Sequence, residues 1–232
     1  MCIRDRSSVL LSTSQAAHAC LSAAPIAERA DTARALFELA HKYALFAPAI
    51  LLASPALRPL MQIAVATLGT MERDAVRAAT AFLSTLVSPG EKAAATPTWL
   101  QGRGAIDGFM SEQGEQLTRA VLQAGADTCP HHLLRPIAQL LHAMQGAYPQ
   151  PVNAWVVNVV GAPHFPGAGT GGGGGGGAGS VEPVGENERR MFCELAMRNP
   201  PLPPQRWTAM VVDFFQICRK EATADALIAH QM

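Results

Sequence analysis

Apolar residues along the chain recur at steps of three and four, the spacing that brings side chains onto one face of an α-helix. With Asp31 as an expected N-cap, Leu36, Leu39, Ala40 and Tyr43 share such a face. After Pro55 the stripe Leu57, Leu60, Met61, Ala64, Leu68 runs to Gly69, where a helix is expected to stop. Ala75, Ala78, Ala79, Phe82 and Leu86 form the next stripe, closed by Pro89 and Gly90. The pattern weakens from Trp99 to Met110, where three glycines intervene, and a helix is expected from about Ser111 to Ala126, presenting Leu117, Ala120, Val121 and Ala124. Pro130 suits the start of another helix, which carries Leu133, Leu134, Ile137, Leu140, Leu141 and Met144.

Residues 151–160 are ambiguous, because Trp155, Val156, Val157, Val159 and Val160 favour a strand when taken alone. A lone short strand cannot satisfy its ladder groups and its neighbours are helical, so the segment is read as helix. Residues 162–185 are of low complexity and hold the unbroken glycine run Gly171–Gly177, which predicts a flexible loop. Beyond it, Asn187 to Met197 forms a helical piece, and Pro200, Pro201, Pro203 and Pro204 separate it from the stripe Trp207, Met210, Val211, Phe214, Phe215, Cys218. A short terminal helix is expected over Thr223 to Gln231. The stretch Ser7 to Arg29 is the hardest to assign, with Gln15 to Ala24 readable as helix. About ten amphipathic helices joined by short loops predict an all-α chain, and helix pairs every ~40–60 residues favour a HEAT-like α-solenoid.

Composition agrees with this reading. Hydrophobic residues make up 49 % of the 232 and charged residues 16 %, so the chain has enough apolar material to fold. Alanine and leucine dominate and aromatics reach only 6 %, a bias towards helix. Lys and Arg together number 18, as do Asp and Glu, leaving no net charge. Without a basic surplus, direct nucleic-acid binding is not expected. The most apolar run, Ala44 to Leu57, is broken by Pro48 and Pro55 and is shorter than the ~20 residues that span a bilayer. The opening Met1 to Arg6 looks like a non-native leader, which leads to the expectation that the chain is truncated at its N-terminus.

The search for chemistry finds no anchor. Cys2, Cys20, Cys129, Cys193 and Cys218 are scattered, with neither metal-ligand spacing nor a disulfide framework, and are read as reduced thiols. His131, His132 and His142 lack the i, i+4 spacing of a metal-binding helix. No Gly-x-Ser-x-Gly elbow occurs, and the glycine run lacks the Gly-Lys-Ser/Thr of a phosphate loop. Glu72 with Asp74, and Glu112 with Glu115, read as charges favoured at helix N-termini. Glu188, Arg189 and Arg190 read as a solvated helix face, with contact to an acidic partner as the other reading. Trp99, Trp155 and Trp207 sit among apolar neighbours and read as core, with an exposed partner-binding hot spot as the alternative. No catalytic, cofactor-binding or metal residue is therefore expected, no cofactor is implied, and no partner-binding residue can be assigned.

Taken in order, the segments resemble the C-terminal region of importin-β-type nuclear transport receptors, in the transportin-SR and importin-thirteen branch. The resemblance is carried by Leu60–Leu68 followed by Glu72–Ala75 and Ala81–Leu83, by Gly114–Leu117 with Pro130 and Leu140–Leu141, and by Trp155 with Pro163. It continues through Glu188–Phe192 and Phe214–Lys220, which resemble the closing helices of the family. What it implies is a right-handed superhelix of antiparallel helix pairs that carries protein cargo through the nuclear pore under control of Ran-GTP. The implied partners are cargo, including Arg/Ser-rich proteins, the Ran GTPase and nuclear pore proteins, with no nucleic acid and no membrane. The implied location is nucleus and cytoplasm, by shuttling. In the family, Ran binding rests mainly on N-terminal repeats and the arginine-rich cargo helix lies upstream, so no functional residue carries over. The expected organisation is a leader over 1–6, helical repeats over 7–161, the glycine-rich loop over 162–185 and closing helices over 186–232. A HEAT or armadillo scaffold unrelated to transport is the alternative.

Overall fold

A computed structural model describes residues 3–162, 165 and 184–231 of the chain. Helices joined by short turns and loops make up these residues, with no strand among them. The chain divides into two compact units, 1–117 and 118–232.

The first unit begins with α1 (Ile3–Ser22), a 3₁₀ turn (Ile26–Arg29), α2 (Ala30–Phe46) and α3 (Pro48–Leu52). It continues with α4 (Leu57–Leu68), α5 (Arg73–Val87), the single turn α6 (Glu91–Ala94) and most of α7 (Pro97–Gln123). Leu10, Ser14, Ala17 and Leu21 give α1 a buried stripe of helical period, where the sequence pattern is least clear. Helix α2 buries Ala33, Leu36, Phe37, Ala40 and Ala44 and packs against α1, α3 and α5. Asp31 is not its N-cap. The 3₁₀ turn runs straight into the helix, so no extended residue precedes it, and Asp31 falls in the first turn, where its charge still suits the helix dipole.

The Phe37 and Phe82 rings stack 6.0 Å apart, and one turn further on His41 Nδ1 lies 3.2 Å from Thr85 Oγ1. Helices α2 and α5 therefore run in the same direction. Helix α4 reverses between them and packs on α5, the relation that successive helix pairs take in HEAT-like repeats. Buried Thr67 and Thr80 turn their hydroxyls back to the carbonyls of Ile63 and Val76, at 2.8 and 2.7 Å, and so cost the core no unmade hydrogen bond.

The weak pattern from Trp99 to Met110 is not a break: α7 runs through it without interruption. Trp99, Ile106, Phe109 and Met110 are all buried and supply the apolar face that the glycines dilute. Gly102 has a packing reason, since a Cβ there would stand 2.6 Å from both Cβ and Cδ1 of Leu52 on α3. Nothing lies within 4 Å of a Cβ built on Gly104 or Gly108. Gly104→Ala and Gly108→Ala are each expected to stabilise the fold by roughly 0.5–1 kcal/mol, because alanine loses less backbone freedom in a helix. Gly102→Ala should destabilise it. Thermal unfolding followed by circular dichroism separates the three, and a gain in melting temperature for Gly102→Ala would refute the close approach.

The second unit starts at the end of α7, which passes through one π turn (Ala124–Thr128) and a 3₁₀ turn (His131–Leu133) into α8 (Leu134–Ala147). Then follow α9 (Pro149–Gly161), α10 (Glu186–Ala196), α11 (Pro204–Cys218) and the single turn α12 (Asp225–Ile228). The residues with strand propensity do form helix. Pro149 opens α9 at its first turn, and Val152, Val156, Val159 and Val160 fall on one buried face. The terminal helix is a single turn, shorter than the expected Thr223 to Gln231. The glycine-rich tract, expected as a loop, lies outside the described residues over 163–164 and 166–183.

Helix α8 packs on α9, α9 on α10, α10 on α11, and α11 returns to α8. His131 Nε2 lies 3.3 Å from Gln216 Nε2, while the His142 ring sits 5.0 Å from Trp207, so α8 and α11 run in opposite directions. The four helices thus close on themselves in an up-down-up-down order. Their core holds a stack of aromatic rings. Phe192 lies 3.9 Å from Phe214 with planes 9° apart, and Phe165 lies 6.0 Å from Phe214.

Candidate interaction surface

Each residue type that suggested chemistry has a structural place. His142 is half-buried against Trp207. His131 is exposed, 3.4 Å from Glu221 of the segment after α11. His230 Nε2 stands 2.7 Å from Asp213 Oδ2 and helps tie the end of the chain to α11. Arg206 and Arg198 assist there by donating to the carbonyls of Ala229 and Gln231, at 3.2 and 3.3 Å. Among the described residues no three His, Cys, Asp or Glu side chains gather as a metal site, and no helix is long and apolar enough to cross a membrane.

The acidic pairs divide. Glu72 and Asp74 do open α5, but Glu112 and Glu115 lie in the middle of α7, because that helix starts at Pro97 and not near Ser111. Glu112 instead pairs with Arg58 of α4 across the surface. Arg189 is not part of a solvated face. Its guanidinium donates to the carbonyls of Val160 and Ala162, at 3.3 and 3.1 Å, and so caps the C-terminal end of α9. Arg190 stays exposed, beside Glu194. Trp99 and Trp207 are core residues, and Trp155 is half-buried.

The thiols are chemically quiet. Cys20, Cys129, Cys193 and Cys218 are free. Burial pushes the Cys193 thiol up to about 11, with Glu194 adding to it, and the Cys218 thiol up to about 12. Burial also raises Cys129, against the opposing charge of Arg219. At neutral pH these three remain thiols, the form that neither attacks electrophiles nor binds metal well.

Burial also acts on His142, holding its pKa below the ordinary value of 6.5. The unfolded chain then binds the proton more tightly than the folded one, so stability is full above about pH 6.5 and falls as the pH drops through that value. Urea unfolding at pH 7.5 and pH 5 should show a loss in the wild type that is smaller in His142→Phe. An equal loss in both would remove His142 as the cause.

Among the described residues, the first unit carries an apolar surface hollow. Helices α1, α3 and α4 frame an open apolar channel. Its wider part, about 500 Å³, lies between Ser7 and Ser8 of α1 and Ala49, Ile50 and Ala53. A narrower part of about 280 Å³ runs between Gln15 and His18 of α1 and Pro59 and Ile63 of α4. Leu11 and Pro55 line both. Elsewhere on this unit Phe46 is 81 % exposed, and Leu100 and Met71 are each 67 % exposed. Exposed apolar side chains scattered singly in this way are ordinary on a folded surface. Sequence alone singles out none of these residues as a surface: before Gln15 the pattern of α1 is unassigned, and α3 lies inside a run marked mainly by its prolines.

A known protein family matches part of the chain. The family described as the Importin 13 repeat covers residues 68–152, from the last residue of α4 into the first turn of α9. No curated protein matches the chain. The matched stretch includes Glu72–Ala75, Ala81–Leu83, Gly114–Leu117, Pro130 and Leu140–Leu141, on which part of the resemblance rests. The tail segments Glu188–Phe192 and Phe214–Lys220 lie outside it. The chain thus carries an importin 13 repeat across its middle, within an all-helical fold over its described residues.

Proposed function

We propose that the chain forms the C-terminal part of a nuclear import receptor that carries protein cargo through the nuclear pore under Ran-GTP control. The importin 13 repeat over residues 68–152 carries this reading, since it belongs to a family of transport scaffolds and not of enzymes. A stack of packed helix pairs suits the task. It offers extended surface for protein partners, and small rotations between pairs let it open and close around them. Binding, not catalysis, is the activity proposed. The partners are cargo proteins, Arg/Ser-rich ones among them, Ran and nuclear pore proteins, and the receptor shuttles between nucleus and cytoplasm.

The test is a pull-down with the full-length transcript product and, separately, with the present chain. Ran loaded with GTP or GDP and an Arg/Ser-rich protein serve as baits. The full-length product should bind cargo and should bind Ran in its GTP form, releasing cargo on doing so. The chain alone should bind neither, since it shows no arginine stripe of the kind that grips such cargo. If the full-length product bound neither bait, the transport reading would fall, and a HEAT or armadillo adaptor would take its place.

A further inference from the structure

No further inference is drawn: the strongest candidate, the apolar channel between α1, α3 and α4 lined by Leu11, His18, Pro55 and Ile63, is an unpartnered face, and nothing in the structure shows what covers it.

Discussion

Phe214→Ala should lower the unfolding free energy of the second unit by about 3–5 kcal/mol, the usual cost of removing a large buried ring. Phe214 is fully buried, lies face to face with Phe192, and is flanked by Phe165 and Phe215, with Phe215 at 6.5 Å. Truncation leaves a void among three aromatic neighbours, Phe165, Phe192 and Phe215, that belong to separate parts of the chain. The walls of that void forfeit their dispersion attraction to the ring, which adds to the transfer energy of the missing atoms. Since whole domains are stable by only about 5–15 kcal/mol, the variant should sit near the edge of folding. Urea unfolding monitored by far-ultraviolet circular dichroism measures this, with Phe214→Leu as a milder companion. A loss below about 1 kcal/mol for the alanine variant would show that the stack is not the centre of the core.

Gly125→Ala is expected to be nearly as damaging, for the opposite reason. A Cβ at position 125 would stand 2.3 to 2.5 Å from Cζ, Cε2 and Cε1 of Phe215, a ring that is itself fully buried. The ring lies in the core beside Phe214, and Gly125 is held through its carbonyl. Its carbonyl accepts from Arg219 Nε at 2.8 Å, and the same guanidinium binds the carbonyls of Ala124 and Cys129, at 3.2 and 2.7 Å. Arg219 thus ties the end of α11 to the π turn that leads out of α7, adding a second donor to the Ala124 carbonyl, which also accepts from Cys129 N–H. Overpacking at such a point costs about 1–3 kcal/mol or more. Gly146→Ala is the control: it also lies in a helix of this unit, but nothing lies within 4 Å of its built Cβ, so it should not destabilise. The double variant Gly125→Ala, Phe215→Leu should recover part of the loss. If Gly125→Ala melted at or above the wild-type temperature, the close packing of the π turn on α11 would be wrong.

Much of the helical architecture is legible in the sequence because it depends on local spacing. The stripes Leu57 to Leu68, Ala75 to Leu86, Leu134 to Met144 and Trp207 to Cys218 fall on buried faces of α4, α5, α8 and α11. The departures share one cause: a local signal that is real but outweighed by packing. The glycines of α7 weaken an isolated helix, yet Trp99, Ile106, Phe109 and Met110 bury enough surface to hold it, and Gly102 is required by Leu52. The valines of α9 favour a strand, yet their spacing also makes a helical face, and α8 and α10 are there to cover it. Asp31 has the look of a cap because the turn before α2 leaves no trace in the pattern.

Helical character and the placing of the apolar stripes are readable from the residues in order, as is a resemblance to importin-β-type receptors from about Asp31 onward, because periodicity and residue order are one-dimensional properties. Which residues hold the helices together depends on contacts between distant parts of the chain. Arg189 became a cap of α9 and not a surface charge, Arg219 a clasp across the π turn, and Gly125 a point of contact for an aromatic ring, through partners 27 to 95 residues distant along the chain. The channel between α1, α3 and α4 was hidden for the same reason: a groove is made by the distance between elements, and no spacing within one element records it.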